Sequence, residues 1–496
     1  MRVLYIDCDS LRADHLGCYG YHRDTSPNID ALAAGGLQFT NCYVSDAPCL
    51  PSRTAFYTGR FGIHTGVINH GGLNADPRRH GPSRGFHYPS RFRSLLRVLA
   101  DEGMHTAMIS PFPPRHDAWH VLEGVAEYYD TGRSGHERAD EVYPYAADWL
   151  ADHATEDDWF LHVNFWDPHT EYNTPMAYGN PFADDPAPEW LTEELIEAHY
   201  HSYGPHSARE PESIGPDWSG SWDLPRMPSE IASRADFKQW VDGYDVGVHY
   251  FDHYVGKLVD LLKAQGVFDD TLIVFTADHG ENLGELNVYG DHQTADEYTH
   301  HVPLVVHGPD VRSGIDDAFH YQLDLTPTIV ELVGGEPPAG WDGQSFAETV
   351  TDGVESGREY LVLSQGAWAC QRAVRWGRWL FARTYHDGFK AALDEYMLFD
   401  LEDDPHETTN LADERPDVVS EGLSRLQRWV DDRLLEAARG ENGGNPESPG
   451  GTSDPMWDVI REGGPLHTRG NLEPYAKRLR ETGRAEHAAE LERRHG

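Results

Sequence analysis

The densest run of residues able to do chemistry is Cys49-Leu50-Pro51-Ser52-Arg53, between a strand-like segment ending near Val44 and a helix-like one starting near Ser52. A cysteine at a helix start, with an arginine one turn on, sits where a thiolate or any bound anion is electrostatically favoured. The plainer reading of a lone cysteine there is a buried thiol in a strand-to-helix turn. Other reactive groups share one placement, at or just past the end of a strand-like run. Asp7 and Asp9 follow Val3–Ile6, and their spacing of two lets both point to one side. His169 follows Trp159–Phe165, Asp278 and His279 follow Thr271–Thr276, and Asp291 and His292 lie in the polar stretch Asn287–His301. Carboxylates so placed either bind a cation or cap a turn, and imidazoles titrate near neutrality. Metal binding and acid–base catalysis are therefore the chemistries on offer. His116 and Trp119 lie in the proline-crowded loop Ser110–His120, a fixed loop at a strand end that either walls such a pocket or is an ordinary connection.

A scaffold that gathers strand ends must hold these groups together. Val3–Ile6, Leu37–Val44, Thr106–Ile109, Trp159–Phe165, Thr271–Thr276 and Leu304–His307 read as buried strands. Asp30–Gly35, Ser94–Glu102, Asp140–His153, Asp236–Gln265 and Asp324–Val333 read as helices between or after them. The alternation predicts an α/β fold with a doubly wound, mostly parallel sheet flanked by helices, whose strand ends meet at one edge. Beyond Tyr360 the pattern changes to short strands, Tyr360–Ser364, Ala373–Trp376, Trp379–Arg383 and Tyr396–Asp400, then a helix over Pro416–Arg439. These predict a smaller C-terminal antiparallel-sheet α+β subdomain. The expected division is 1–350, 351–440 and a linker with helical tail over 441–496, the last helix being Leu472–Arg494. Residues 181–235, rich in Pro, Gly, Trp and acids, are expected to form a surface excursion or lid, and Asn69–His87 a loop.

Charge bounds the setting. Among 496 residues, 83 acidic against 40 basic ones give a formal net charge of −43, and only five residues are lysine. Such self-repulsion is tolerable where salt screens it, so a salt-rich cytoplasm, as in halophilic microbes, is expected. No basic run exists to hold the phosphates of a nucleic acid. Five cysteines without paired spacing argue against a disulfide scaffold and a zinc site. No leader-like start and no apolar run of ~18 residues is present, so a soluble cytoplasmic chain without a membrane partner is expected.

Taken jointly, the motifs resemble the type I sulfatases of the alkaline phosphatase superfamily. Asp9-Ser10-Leu11-Arg12-Ala13-Asp14 is similar to that family's opening metal-ligand strand, and Cys49–Gly59 to its formylglycine segment. Asp167-Pro168-His169 resembles its substrate-binding loop, Thr276–Glu281 its second metal motif, and Tyr396–Leu411 its C-terminal subdomain. The resemblance implies that Cys49 is oxidised to formylglycine (3-oxoalanine) by a formylglycine-generating enzyme. It implies metal ligation by Asp9, residue 49, Asp278 and His279, a set suited to calcium, with magnesium or manganese as alternatives. Arg53 would hold the nucleophile, His169 or His292 would be the general acid, and His116, Trp119 and Asp291 would meet substrate. A sulfated small molecule or saccharide is the implied substrate. This chain departs from the pattern in four places. Ser10 follows Asp9, His279 follows Asp278, Pro111–His120 replaces a Gly-Lys-x-His segment, and His292 stands where a lysine is expected. The first two departures also occur in phosphonate monoester hydrolases and related phosphodiesterases, which stand as the alternative reading.

Overall fold

The computed structural model describes residues 1–78, 93–211, 224–441 and 453–496. Parts of the expected loop (79–87), excursion (212–223) and linker (442–452) lie outside the described residues. In chain order the strands are β1 (Arg2–Cys8), β2 (Leu37–Tyr43), β3 (Asp46–Ala47), β4 (His105–Ile109), β5 (Glu127–Tyr129), β6 (Trp159–Phe165), β7 (Thr271–Ala277), β8 (Asn282–Leu283), β9 (Tyr289–Asp291), β10 (His301–His307), β11 (Gly314–Asp316), β12 (His320–Tyr321), β13 (Leu361–Gln365), β14 (Cys370–Trp376), β15 (Trp379–His386) and β16 (Tyr396–Asp400).

Nine strands form one sheet in the order β11-β2-β10-β7-β1-β6-β4-β5, with β12 beside β2. Its central strands β1, β6 and β7 are apolar and almost wholly buried, as a sheet covered on both faces requires. β1 pairs in parallel with both β6 and β7, setting Cys8 opposite Phe165 and Ala277. The ladder continues one step beyond the strands. The Asp9 N–H donates to the Phe165 carbonyl at 2.9 Å, and the Asp278 N–H to the Cys8 carbonyl at 3.3 Å. That register brings Asp9 and Asp278 together. β10 is the exception to the parallel pattern, running antiparallel to β7 and β2. After β7 the chain makes no helical crossover back to the far edge but stays at the site edge through residues 278–300, so its next strand must run the other way.

The second sheet has the order β16-β15-β14-β13-β3. Its strands β13 to β16 are antiparallel neighbours, as the sequence pattern predicts. The helix Pro416–Arg439 covers this sheet with Val418, Leu426 and Trp429. β3, just ahead of Cys49, pairs in parallel with β13 through Asp46–Ser364 and Ala47–Gln365. The small sheet is thereby stitched to the segment that delivers Cys49.

The tail differs from expectation. Instead of one helix over Leu472–Arg494 it forms Leu472–Glu481 and Ala485–His495. Gly483 (φ 79°) breaks the run in the left-handed conformation that glycine adopts without strain. Tyr475, Leu479 and Leu491 then pack with Tyr203 and Phe389 in a small core. Arg478 and Arg484 both meet Glu210, and Arg372 of β14 holds Asp454 through paired bonds at 2.5 and 2.7 Å. Among the described residues no helix is long and apolar enough to cross a membrane.

Candidate active site

Cys49 is the first residue of the helix Cys49–Thr58, which ends on Gly59 in the left-handed conformation. Arg53, one turn along, reaches the same side. Its Nε lies 3.0 Å from Asp7 Oδ2 and its Nη1 3.0 Å from Asp9 Oδ2, and Nη1 also bonds Asp278 Oδ2. Phe112 of the proline-rich loop lies under the guanidinium, 4.8 Å from its ring centroid. Ser52 Oγ donates to the Asp278 carbonyl, tying the helix start to the end of β7. His279 donates from Nδ1 to the Gly280 carbonyl at 2.8 Å. The hydrogen on Nδ1 leaves the Nε2 lone pair facing Cys49 Sγ at 3.1 Å and Asp278 Oδ2 at 3.3 Å.

These groups suit a divalent cation. Ligand atoms of Asp9, Cys49, Asp278 and His279 all lie within 4.8 Å of one another, and all four residues are buried. Three carboxyl groups face one guanidinium in a buried place, and with all three ionised one divalent cation would neutralise the two negative charges left over. The carboxylate oxygens are hard donors, and one imidazole completes a mixed set. Burial opposes ionisation of Asp9, but Arg53 and the imidazoles of His169 and His279 outweigh it and hold that carboxyl below the ordinary range. Burial, with the charges of Asp9 and Asp7, pushes Asp278 well up against the pull of Arg53. Burial, with the charges of Asp9 and Asp278, pushes the Cys49 thiol well up.

The imidazoles ring this centre. His169 Nε2 is 3.9 Å from Asp9 Oδ1, and its Nδ1 bonds the Thr170 carbonyl. The His292 ring stacks obliquely 4.0 Å from that of His279 and 5.7 Å from that of His169. Burial lowers the His169 and His292 pKa values and brings His279 to about 4. Asp291 sits behind His292, accepting from the His292 N–H at 2.7 Å and from Gln293 at 2.8 Å, with His206 Nε2 3.1 Å away. Gln365, the last residue of β13, donates to the His292 carbonyl at 2.8 Å.

The structure thus gathers Asp9, Cys49, Arg53, His169, Asp278, His279, Asp291 and His292 at one sheet edge. His116 joins them at the rim, 5.1 Å ring to ring from His70. Trp119 does not join: it is 55% exposed and has no aromatic or side-chain hydrogen-bond contact with the cluster among the described residues. His116 closes the short helix Phe112–Arg115 and Trp119 opens the turn Trp119–Leu122, with Asp117 (φ 51°) redirecting the chain between them, so a shared loop does not mean a shared face. Sequence reasoning missed Asp7 as the Arg53 partner, although its spacing from Asp9 was a signal. It also missed His70, His206, Gln365 and His467, for which no local signal exists.

A model of the sulfatase family matches residues 2–335, and one for the C-terminal part of N-sulphoglucosamine sulphohydrolase matches residues 284–431. A choline-sulfatase from Rhizobium meliloti is 30% identical over 427 residues, covering 78% of each chain. Among solved structures, one in complex with its substrate D-glucosamine-2-N,6-O-disulfate superposes with a TM-score of 0.67 at 20% identity, over 90% of this chain and 99% of its own. A phosphonate monoester hydrolase from Silicibacter pomeroyi superposes with a TM-score of 0.66 at 21% identity, over 90% and 96%. The chain belongs to the sulfatase family. Its activity is that of a sulfuric ester hydrolase.

Proposed function

We propose that the chain hydrolyses sulfate monoesters to an alcohol and inorganic sulfate at residue 49, after oxidation of Cys49 to formylglycine and beside one divalent cation. The observation that carries this reading is the buried convergence of Asp9, Asp278 and His279 on Cys49, with Arg53 bridging the carboxyl groups. Asp9, Asp278, His279 and residue 49 would hold the cation, calcium first and magnesium or manganese next, and when bound it would supply positive charge toward the ester oxygens. Formylglycine, when present, would supply a hydrated aldehyde as the nucleophile, which a cysteine side chain does not offer. An unmodified thiol suits the place poorly, being soft and pushed toward its neutral form. Cys49 is 2% exposed, so a formylglycine-generating enzyme would have to act before the chain folds.

The chain's own residues do the rest. Arg53 fixes Asp7, Asp9 and Asp278 and offers its charge to the anion. His292 and His169, neutral when the site is empty of anion, gain basicity beside a bound sulfate and can then hand a proton to the leaving alkoxide oxygen. The substrate is a sulfated small molecule or saccharide, and choline sulfate and glucosamine sulfates are the first esters to assay, given the relatives. The net charge of −43 supports work in a salt-rich cytoplasm.

Phosphodiester or phosphonate monoester hydrolysis is the second reading. Ser10 and His279 favour it, as does the near-equal likeness to a phosphonate monoester hydrolase fold. Two measurements decide. Peptide mass spectrometry reads the state of residue 49, and rates on 4-nitrophenyl sulfate and bis(4-nitrophenyl) phosphate in high salt with calcium rank the reactions. A Cys49→Ala protein with undiminished turnover would sink both readings.

A further inference from the structure

The C-terminal tail reaches the site. Residues 432–496 lie beyond both family-model matches, yet His467 of the tail stands at the rim of the histidine cluster. Its ring stacks on Trp368 with centroids 3.9 Å apart and planes 14° apart, and its N–H donates to the Ala367 carbonyl. Its Nε2 lies 3.3 Å from His70 Nδ1. The His70 ring in turn lies 6.4 Å from His292 and 5.1 Å from His116. His467 and His70 are half-buried where His292 is buried, so they stand nearer the surface than His292, and the alcohol portion of an ester with its sulfate at the cation site would extend toward that surface.

Three buried ring nitrogens here have no hydrogen-bond partner among the described residues: His70 Nε2, His116 Nε2 and His292 Nδ1. Buried polar atoms without partners are costly to leave unmet, so this wall is built to meet something polar. Trp368 cannot supply an open aromatic face on the side that His467 covers. A wall of imidazole nitrogens suits hydroxyl groups, which both donate and accept.

We infer that His70 is a specificity-determining residue that reads a hydroxyl on the alcohol portion of the ester through Nε2, and that tail residue His467 is the positioning residue holding it. The Nδ1–Nε2 hydrogen bond fixes the His70 tautomer and ring orientation, and the stack on Trp368 fixes His467. The inference rests on the sulfate-ester reading of the site, and it adds that a segment outside both family matches sets part of its selectivity.

The test uses the full chain carrying His70→Phe, His467→Phe or His467→Gln. At position 467 phenylalanine keeps the stack on Trp368, and at position 70 it keeps the ring contacts with His116 and His467, while both changes remove the ring nitrogens, so a folding failure is not expected to mimic the effect. Glucosamine 6-sulfate carries free hydroxyls, whereas 4-nitrophenyl sulfate carries none. A lost hydroxyl contact is expected to lower kcat/KM for glucosamine 6-sulfate about 10-fold or more in both Phe variants, mainly through KM. The rate on 4-nitrophenyl sulfate should stay within about twofold, and His467→Gln should recover part of the loss. Calorimetric titration of glucosamine 6-sulfate into a Cys49→Ser background reads the same contact without turnover. Equal effects on both esters, or none on either, overturn the inference. Binding that depends on His467 without sulfate release would defeat the reaction reading and leave this one standing, and turnover indifferent to His70 and His467 would do the reverse.

Discussion

Arg53→Met tests the charge arrangement at the centre of the site. In the wild type one guanidinium faces three buried carboxylates, Asp7, Asp9 and Asp278. Removing it leaves their charge uncompensated, and breaking a buried ion pair from one side costs about 3–5 kcal/mol. A divalent cation bound among Asp9, Asp278 and His279 offsets part of that cost. At about 100 times its dissociation constant it stabilises the native state by about 2.7 kcal/mol, and in the variant it meets one more unpaired negative charge. Calcium should therefore rescue Arg53→Met more than it stabilises the wild type. Urea unfolding followed by tryptophan fluorescence, in high potassium chloride with either excess EDTA or saturating calcium, reads the difference. The variant's deficit should be near the full cost in EDTA and clearly smaller in calcium. An equal deficit in both media would refute the reasoning, because the cation would then not see those carboxylates. A wild type indifferent to chelation would refute it as well.

Other expectations follow from neighbouring contacts. If His292 is the proton donor, His292→Ala should cut kcat about 100-fold on an alkyl sulfate and much less on 4-nitrophenyl sulfate, whose leaving group needs no proton; His169→Ala is the matched comparison, and equal losses on both esters would remove the acid role from the residue tested. At Gly280 a Cβ would collide with the Tyr298 carbonyl oxygen, so Gly280→Ala should displace the His279 loop and weaken calcium-dependent stabilisation, whereas wild-type calcium response would count against His279 as a ligand. Glu285 joins Arg12 and His406 at 3.0 Å each, linking the large sheet to the loop after β16. Burial opposes its ionisation, but Arg12 and then His406 bring its pKa from 4.5 to about 2. A depressed folded pKa gives stability that is present above about pH 4.5 and lost as the pH falls toward 2, amounting to about 3 kcal/mol. Glu285→Gln should thus be less stable than wild type at neutral pH by about that much, with the gap closing on acidification. A gap that is constant with pH would contradict this assignment.

Much of the site was legible because it is written in local patterns. Apolar runs of strand length followed at once by Asp or His announce strand ends, and a sheet with parallel central strands sends those ends to one edge. That logic carried Asp9, His169, Asp278 and His279 to their places, and the run Cys49–Arg53 announced a helix start with its arginine one turn on. Trp119 shows the limit, because a loop shared with His116 fixes neighbourhood in sequence and not the face presented. The direction of β10, the pairing of β3 with β13, the division of labour between Asp7 and Asp9, and the break at Gly483 were settled only by packing. The tail shows this most plainly: His70 and His467 lie 397 residues apart and meet through one hydrogen bond. Patterns of period 2 or 3.6 encode what a residue's immediate neighbours will do. A contact closed over hundreds of residues is decided by which apolar faces can be buried together, and no local window of sequence contains that choice.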